Sequence, residues 1–199
     1  MKSVFEPGAD LKGFLRRGQQ HGYSMESPLF DPAIGKLISE ELNEAEFLED
    51  LVEQQPVASF KKYRMKVAYE LHSVVNQAIC ELEGKKKNHL PYFSVRVFPA
   101  GEHATTVHRN HPYIGPWTVG ITLSGEAPFS VYDQSVLDES WDHTIALTGN
   151  DTDPTPSDTM AATPGSGWTL YTAHEQMPHS GGLVNSDVQR ELLILYGMY

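Results

Sequence analysis

The hydrophobic rhythm of the chain changes near residue 92. Before it, apolar residues recur at helical spacing; after it, short β-branched and aromatic runs alternate with Gly, Pro and Asp turns. Residues 1–31 carry Gly, Pro and scattered aromatics and read as an N-terminal arm. Residues 34–39 are a short apolar run that suits a strand or a helix. Asn43, followed by Glu46, has the form of a helix cap. A helix is predicted from Glu44, buried through Ala45, Leu48, Leu51 and Val52 and stopped by Pro56.

Ser59 would cap a second, longer helix. Its stripe is Phe60, Tyr63, Val67, Leu71, Val74, Val75, Ala78, Ile79 and Leu82, and Gly84 would close it in a left-handed conformation. So wide a stripe calls for a sheet to pack on. His72, on its flank, reads as structural or solvent-facing. The predicted strands are 92–98, 105–110, 117–123, 129–132, 141–147, 159–163, 168–173 and 190–196. Helices first and strands after predict an α+β fold, with helices bracing one side of a sandwich, jelly roll or barrel. Residues 149–167 have loop composition around one short β run, and suit either a binding loop or a surface insertion. The length suggests one domain over 1–199. It divides into the arm (1–31), supporting helices (32–84) and a β core (91–199) carrying the 149–167 loop.

Charge narrows the partners. A net charge of −11 argues against a nucleic-acid groove, which needs a clustered positive field. Lys61, Lys62, Arg64 and Lys66 read as a solvated helix face. No apolar run is long enough to span a bilayer. Cys80 is the single cysteine; it excludes an internal disulfide, reads as a small buried hydrophobe and suits a reducing cytoplasm. No Gly-rich phosphate loop opens a helix, and Gly165-Ser166-Gly167 leads into a strand, so neither nucleotide binding nor a hydrolase elbow is indicated.

Residues two apart on a strand share a face, so His108 and Asn110 point one way and His111 the other. Two neighbouring metal-capable side chains on one face are the seed of a metal site. Four features follow in order: the Phe98-Pro99-Ala100-Gly101 turn, His108-x-Asn110, His179 after a strand, and Arg190 opening the apolar run Leu192-Leu193-Ile194-Leu195-Tyr196.

That order resembles the iron(II)/2-oxoglutarate-dependent oxygenases of the prolyl-hydroxylase-like branch. The likeness runs from about residue 34 to residue 196. It implies a double-stranded β-helix (jelly roll) braced by N-terminal helices. It also implies iron(II) held by His108 and His179, with Asn110 where that family has a carboxylate. Arg190 would pair with the distal carboxylate of the co-substrate 2-oxoglutarate. The implied reaction consumes O2, converts 2-oxoglutarate to succinate, and hydroxylates a C–H bond of a small-molecule or peptide substrate.

Asn110 departs from the pattern, because an amide oxygen offers a dipole where a carboxylate offers a full charge. It leaves several arrangements open: weak ligation by the Asn110 oxygen, a third histidine from His103 or His111, a water, or a metal-free binding module. A three-histidine dioxygenase would need no 2-oxoglutarate. Leu192 stands where the family often has a hydroxyl residue beside the arginine. His174 competes with His179 as the distal ligand, and the spacing to Arg190 favours His179. His143, alternating with Trp141 and Ile145, reads as a core histidine. Trp117, Ser130, Tyr132 and the 149–167 loop are the expected pocket wall.

Overall fold

The computed structural model describes residues 4–42, 46–49, 56–59, 65–85, 90–111, 115–139, 143–171, 177–185 and 187–198. In chain order the elements are α1 (Leu11–His21), β1 (Tyr23–Glu26), α2 (Ala33–Leu42), β2 (Glu46–Glu49), β3 (Pro56–Ser59), α3 (Lys66–Glu83), β4 (Leu90–Phe98), β5 (Trp117–Ser124), β6 (Ala127–Val131), β7 (Asp158–Ala162), β8 (Gly167–Tyr171), β9 (His179–Gly181) and β10 (Arg190–Met198). They build a seven-stranded sheet, ordered β1-β8-β5-β10-β4-β3-β2, and a three-stranded sheet, ordered β7-β6-β9. The pairings are antiparallel, and β10 pairs with β4 from Arg190↔Phe98 to Met198↔Leu90. This α+β double-stranded β-helix is the fold class expected from the sequence.

Period-two alternation on β5 and β10 sets the layers. Trp117, Val119, Ile121 and Leu123 join Leu193 and Leu195 in a core against Phe14, Leu15, Leu71, Val75 and Ile79 of the helices. The even-numbered partners Leu192, Ile194 and Tyr196 point the other way, into a second core with Phe98, Phe129, Val131, Trp168 and Leu170. Each fully buried leucine here contributes about 1.5–3 kcal/mol of transfer free energy. A strand buried on both faces cannot alternate apolar with polar, which is why β10 reads as one continuous apolar run.

Helix α1 lies inside the expected arm. Asp10 caps it, its carboxylate accepting from the Gly13 N–H at 2.9 Å. Gly13 and Gly18 depress its propensity, which disguised it. Gly18 is needed there for close packing, since a Cβ would come within 2.5 Å of Thr169 Cγ2. The arm also supplies β1, which pairs with β8 over Tyr23↔Leu170 to Glu26↔Gly167. The ambiguous run at 34–39 is helix α2, with the Asp31 carboxylate accepting from Ala33 N–H at 2.9 Å.

The helix predicted from Glu44 is corrected: Glu46–Glu49 is strand β2, paired with β3 from Glu46↔Ser59 to Glu49↔Pro56. That ladder also removes Ser59 as a helix cap, and α3 begins at Lys66. A local cap signal yields to strand pairing when the sheet edge offers a partner, here through Val57↔Arg96. Residues 43–45, 50–55 and 60–64 of those predictions lie outside the described residues. Gly84 ends α3 at φ 63°, as read from the sequence, and Cys80 is buried. His72 is structural: it is buried, its Nε2 lies 2.9 Å from the Tyr196 carbonyl, and its ring stands 5.5 Å from Trp117.

The strand expected over 105–110 is instead an irregular segment with two isolated bridges, Val107↔Ile145 and His108↔His179. Its hydrogen bonds go to two different partners, so no single ladder forms. Ile145 has only that bridge among residues 143–147, where a strand was expected; 141 and 142 lie outside the described residues. No helix among the described residues is long and apolar enough to cross a membrane.

Candidate metal and co-substrate site

His108 and His179 meet in an isolated bridge at the β9 edge of the three-stranded sheet. His108 N–H donates to the His179 carbonyl at 3.0 Å, and His179 N–H donates back to the His108 carbonyl at 2.9 Å. This exchange sets the ring centroids 4.4 Å apart. His108 Nδ1 lies 2.9 Å from the Thr106 carbonyl, and His179 Nδ1 lies 3.0 Å from the Met177 carbonyl. A carbonyl can only accept, so Nδ1 carries a proton in both rings, and Nε2 is the atom each would present to a metal. The sequence thus brings together two histidines in the tautomer that suits a metal.

His179 is buried, with Phe129 at 5.9 Å and Trp168 at 6.2 Å between ring centroids. Phe129 and Trp168 stack at 4.5 Å and form an apolar platform under it. Gly120 makes room for the platform, because a Cβ there would collide with the Trp168 indole. Burial, then the neighbouring His108, push the His179 pKa well below the ordinary histidine value. As pH falls, the unfolded chain therefore binds this proton before the folded one does. The metal-free protein should lose stability as pH drops below the unfolded histidine pKa of about 6.5, toward the lowered folded value. Urea midpoints on either side of that pH should fall more for the parent than for His179→Gln; equal slopes would show that His179 does not titrate in this way.

Asn110 is partly buried, and its Nδ2 is buried with no hydrogen-bond partner among the described residues. Between the two, Arg109 turns outward and donates to the carbonyls of Gln134, Leu137 and Asp138. It ties the His108–Asn110 segment to the 3-10 turn Gln134–Val136.

Arg190 is a buried charge, 1% exposed. Its Nη2 donates to Thr122 Oγ1 at 3.2 Å, and its Nε is buried without a partner among the described residues. Burial alone pushes its pKa down to about 10, so it stays cationic at neutral pH. Its Nη1 would lie 3.4 Å from a Cβ on Gly181, the residue two positions beyond His179 on β9. Thr122 thus places a β5 hydroxyl beside the guanidinium. Thr122 shares the inward face of β5 with Gly120, an alternation that was available in the sequence.

Other candidates fall away. Among the described residues no three His, Cys, Asp or Glu side chains group to hold a metal, so neither His103 nor His111 completes a triad with His108 and His179. His103 sits at a bridge to Leu183. His174 lies outside the described residues. His143 is a half-exposed partner of Asp138 at 3.2 Å, not a core histidine. The expected pocket wall is also corrected. Trp117 faces the helices. Ser130 pairs with Ser180, on the β6–β9 face opposite His179, and bonds Thr159 Oγ1 at 2.9 Å. Tyr132 joins the same outer face by its 2.9 Å bond to Ser180 Oγ.

No protein-family model matches the chain, and no curated protein matches it. Solved structures do. A prolyl-4-hydroxylase from Pseudomonas putida is similar over 96% of this chain and 100% of its own, with TM-score 0.60 and 10% identity. A Trichoplax adhaerens prolyl hydroxylase, solved with a hypoxia-inducible-factor peptide fragment, covers 94% of this chain and 89% of its own, with TM-score 0.60 and 11% identity. The epimerase SnoN, solved with Fe3+ and α-ketoglutarate, covers 94% and 83%, with TM-score 0.59 and 14% identity. These structural neighbours are two prolyl hydroxylases and a non-heme, α-ketoglutarate-dependent epimerase. The chain shares their fold, the double-stranded β-helix with N-terminal helices that its sequence motifs resemble.

Proposed function

We propose that the protein is an iron(II)- and 2-oxoglutarate-dependent oxygenase that hydroxylates a C–H bond of a small-molecule or peptidyl substrate. One observation carries the reading: a pair of Nδ1-protonated histidines at one end of β9, with a buried guanidinium lacking an acidic partner among the described residues beside its other end. His179 and Gly181 are two positions apart, which on a strand spans roughly 6.6 Å. A five-carbon dicarboxylate has that reach.

The donor set fits the metal. His108 and His179 would hold it through Nε2, and the Asn110 amide oxygen would take the third protein position. Arg190 would receive the distal carboxylate of 2-oxoglutarate, with Thr122 fixing the orientation of the guanidinium. The bound iron supplies activation of O2 coupled to decarboxylation, so that one oxygen atom enters succinate, the other enters the substrate as hydroxyl, and CO2 leaves. Phe129 and Trp168 exclude water behind His179. His179, held neutral by burial, presents its lone pair without first losing a proton. The lone cysteine and the need for ferrous iron both suit a reducing cytoplasm.

Anaerobic addition of iron(II) and 2-oxoglutarate to the metal-free protein should produce the visible charge-transfer absorption of the chelate. Admission of air should then yield succinate. Iron uptake without that absorption would favour an oxygenase independent of 2-oxoglutarate. No uptake of either would mark a binding module.

A further inference from the structure

Among the described residues the protein places one fixed positive charge and groups no carboxylate with the histidine pair. Arg190 is buried and cationic, and its hydrogen bond goes to the neutral Thr122 hydroxyl. Asn110 stands in the carboxylate position with its amide buried, and among the described residues no acidic side chain groups with His108 and His179. A divalent cation entering alone would face a neutral ligand set and a buried guanidinium within the same β9 strand length. The apolar Phe129–Trp168 platform keeps the local dielectric low, which magnifies that unfavourable term.

We infer that the metal and a dicarboxylate dianion enter this site as one neutral pair, the dianion supplying the negative charge that Asn110 does not. The inference rests on the proposed function. The dianion chelates the metal at one end and meets Arg190 at the other, so it offsets both positive centres at once. Two ligands that each remove the other's unfavourable charge must show positive coupling, and the coupling is reciprocal. Occupancy of the metal site then follows the supply of dicarboxylate.

Manganese(II) is a suitable probe because its binding can be followed without turnover, by calorimetry or by loss of the free-ion paramagnetic signal. Saturating 2-oxoglutarate should tighten manganese(II) binding by about a hundredfold or more, near the upper end of ordinary coupling, and manganese(II) should tighten 2-oxoglutarate equally. Pyruvate, which chelates but lacks the distal carboxylate, should give a much smaller gain. Asn110→Asp should bind manganese(II) without 2-oxoglutarate and reduce the coupling to about tenfold or less. Tight manganese(II) binding by the parent alone, with a 2-oxoglutarate effect under about fivefold, would overturn the inference while leaving the proposed function standing. Failure to take up manganese(II) even with 2-oxoglutarate would overturn both.

Discussion

His179→Ala should take up no iron(II)–2-oxoglutarate chelate, and its turnover should fall by more than about a hundredfold, the upper range for changes that only touch a ligand's supporting partners. His179 is one of two imidazoles brought together by the bridge between β9 and the His108 segment, so its loss halves the strong donors. The cost to the fold should be about 1–3 kcal/mol, because a buried ring is removed from the Phe129–Trp168 platform. His103→Ala and His111→Ala serve as controls that keep the absorption, since neither side chain groups with the pair. An intact chelate in His179→Ala, with loss in His174→Ala, would move the distal ligand to His174 and overturn the assignment.

Arg190→Met separates a structural arginine from an anchoring one. A buried cation with no acidic partner among the described residues is a liability to the free protein. Replacement by an apolar side chain of similar reach should leave stability unchanged or raise it, by about 1 kcal/mol or more. Affinity for 2-oxoglutarate should fall by about 2–5 kcal/mol, the usual cost of truncating one partner of a buried charge pair. The two readouts therefore move in different directions. Thermal unfolding with and without 2-oxoglutarate measures both: the variant should match or exceed the parent alone and gain nothing from the co-substrate. Marked destabilisation with unchanged 2-oxoglutarate affinity would make Arg190 a packing residue.

Much of the fold could be read directly from local pattern. β4, β5, β6, β7, β8 and β10 all overlap predicted runs, because buried strands leave dense β-branched and aromatic stretches bounded by turn residues. The end of α3 at Gly84 was legible because a left-handed residue leaves a local mark. The elements missed were those settled by distant partners. Helix α1 carries Gly18 because Thr169 leaves no space there for a side chain. β2 carries a helix-cap signature, yet pairs with β3. β9 is too short to announce itself, and its register comes from β6 and from the bridge to His108.

The same division holds at the site. The sequence by itself determined the order His108, Asn110, His179, Arg190, and it determined that position 110 carries no charge. These are matters of residue type and order, which no folding can alter. Only the tertiary structure decided which histidines meet, since His108 and His179 are far apart in the chain and are joined by one pair of backbone hydrogen bonds between the His108 segment and β9. It likewise excluded His103 and His111 from the pair, turned Ser130, Tyr132 and Trp117 away from it, and brought Thr122 to Arg190. Strand pairing and side-chain alternation make those choices together, because each register fixes which face of every strand looks inward.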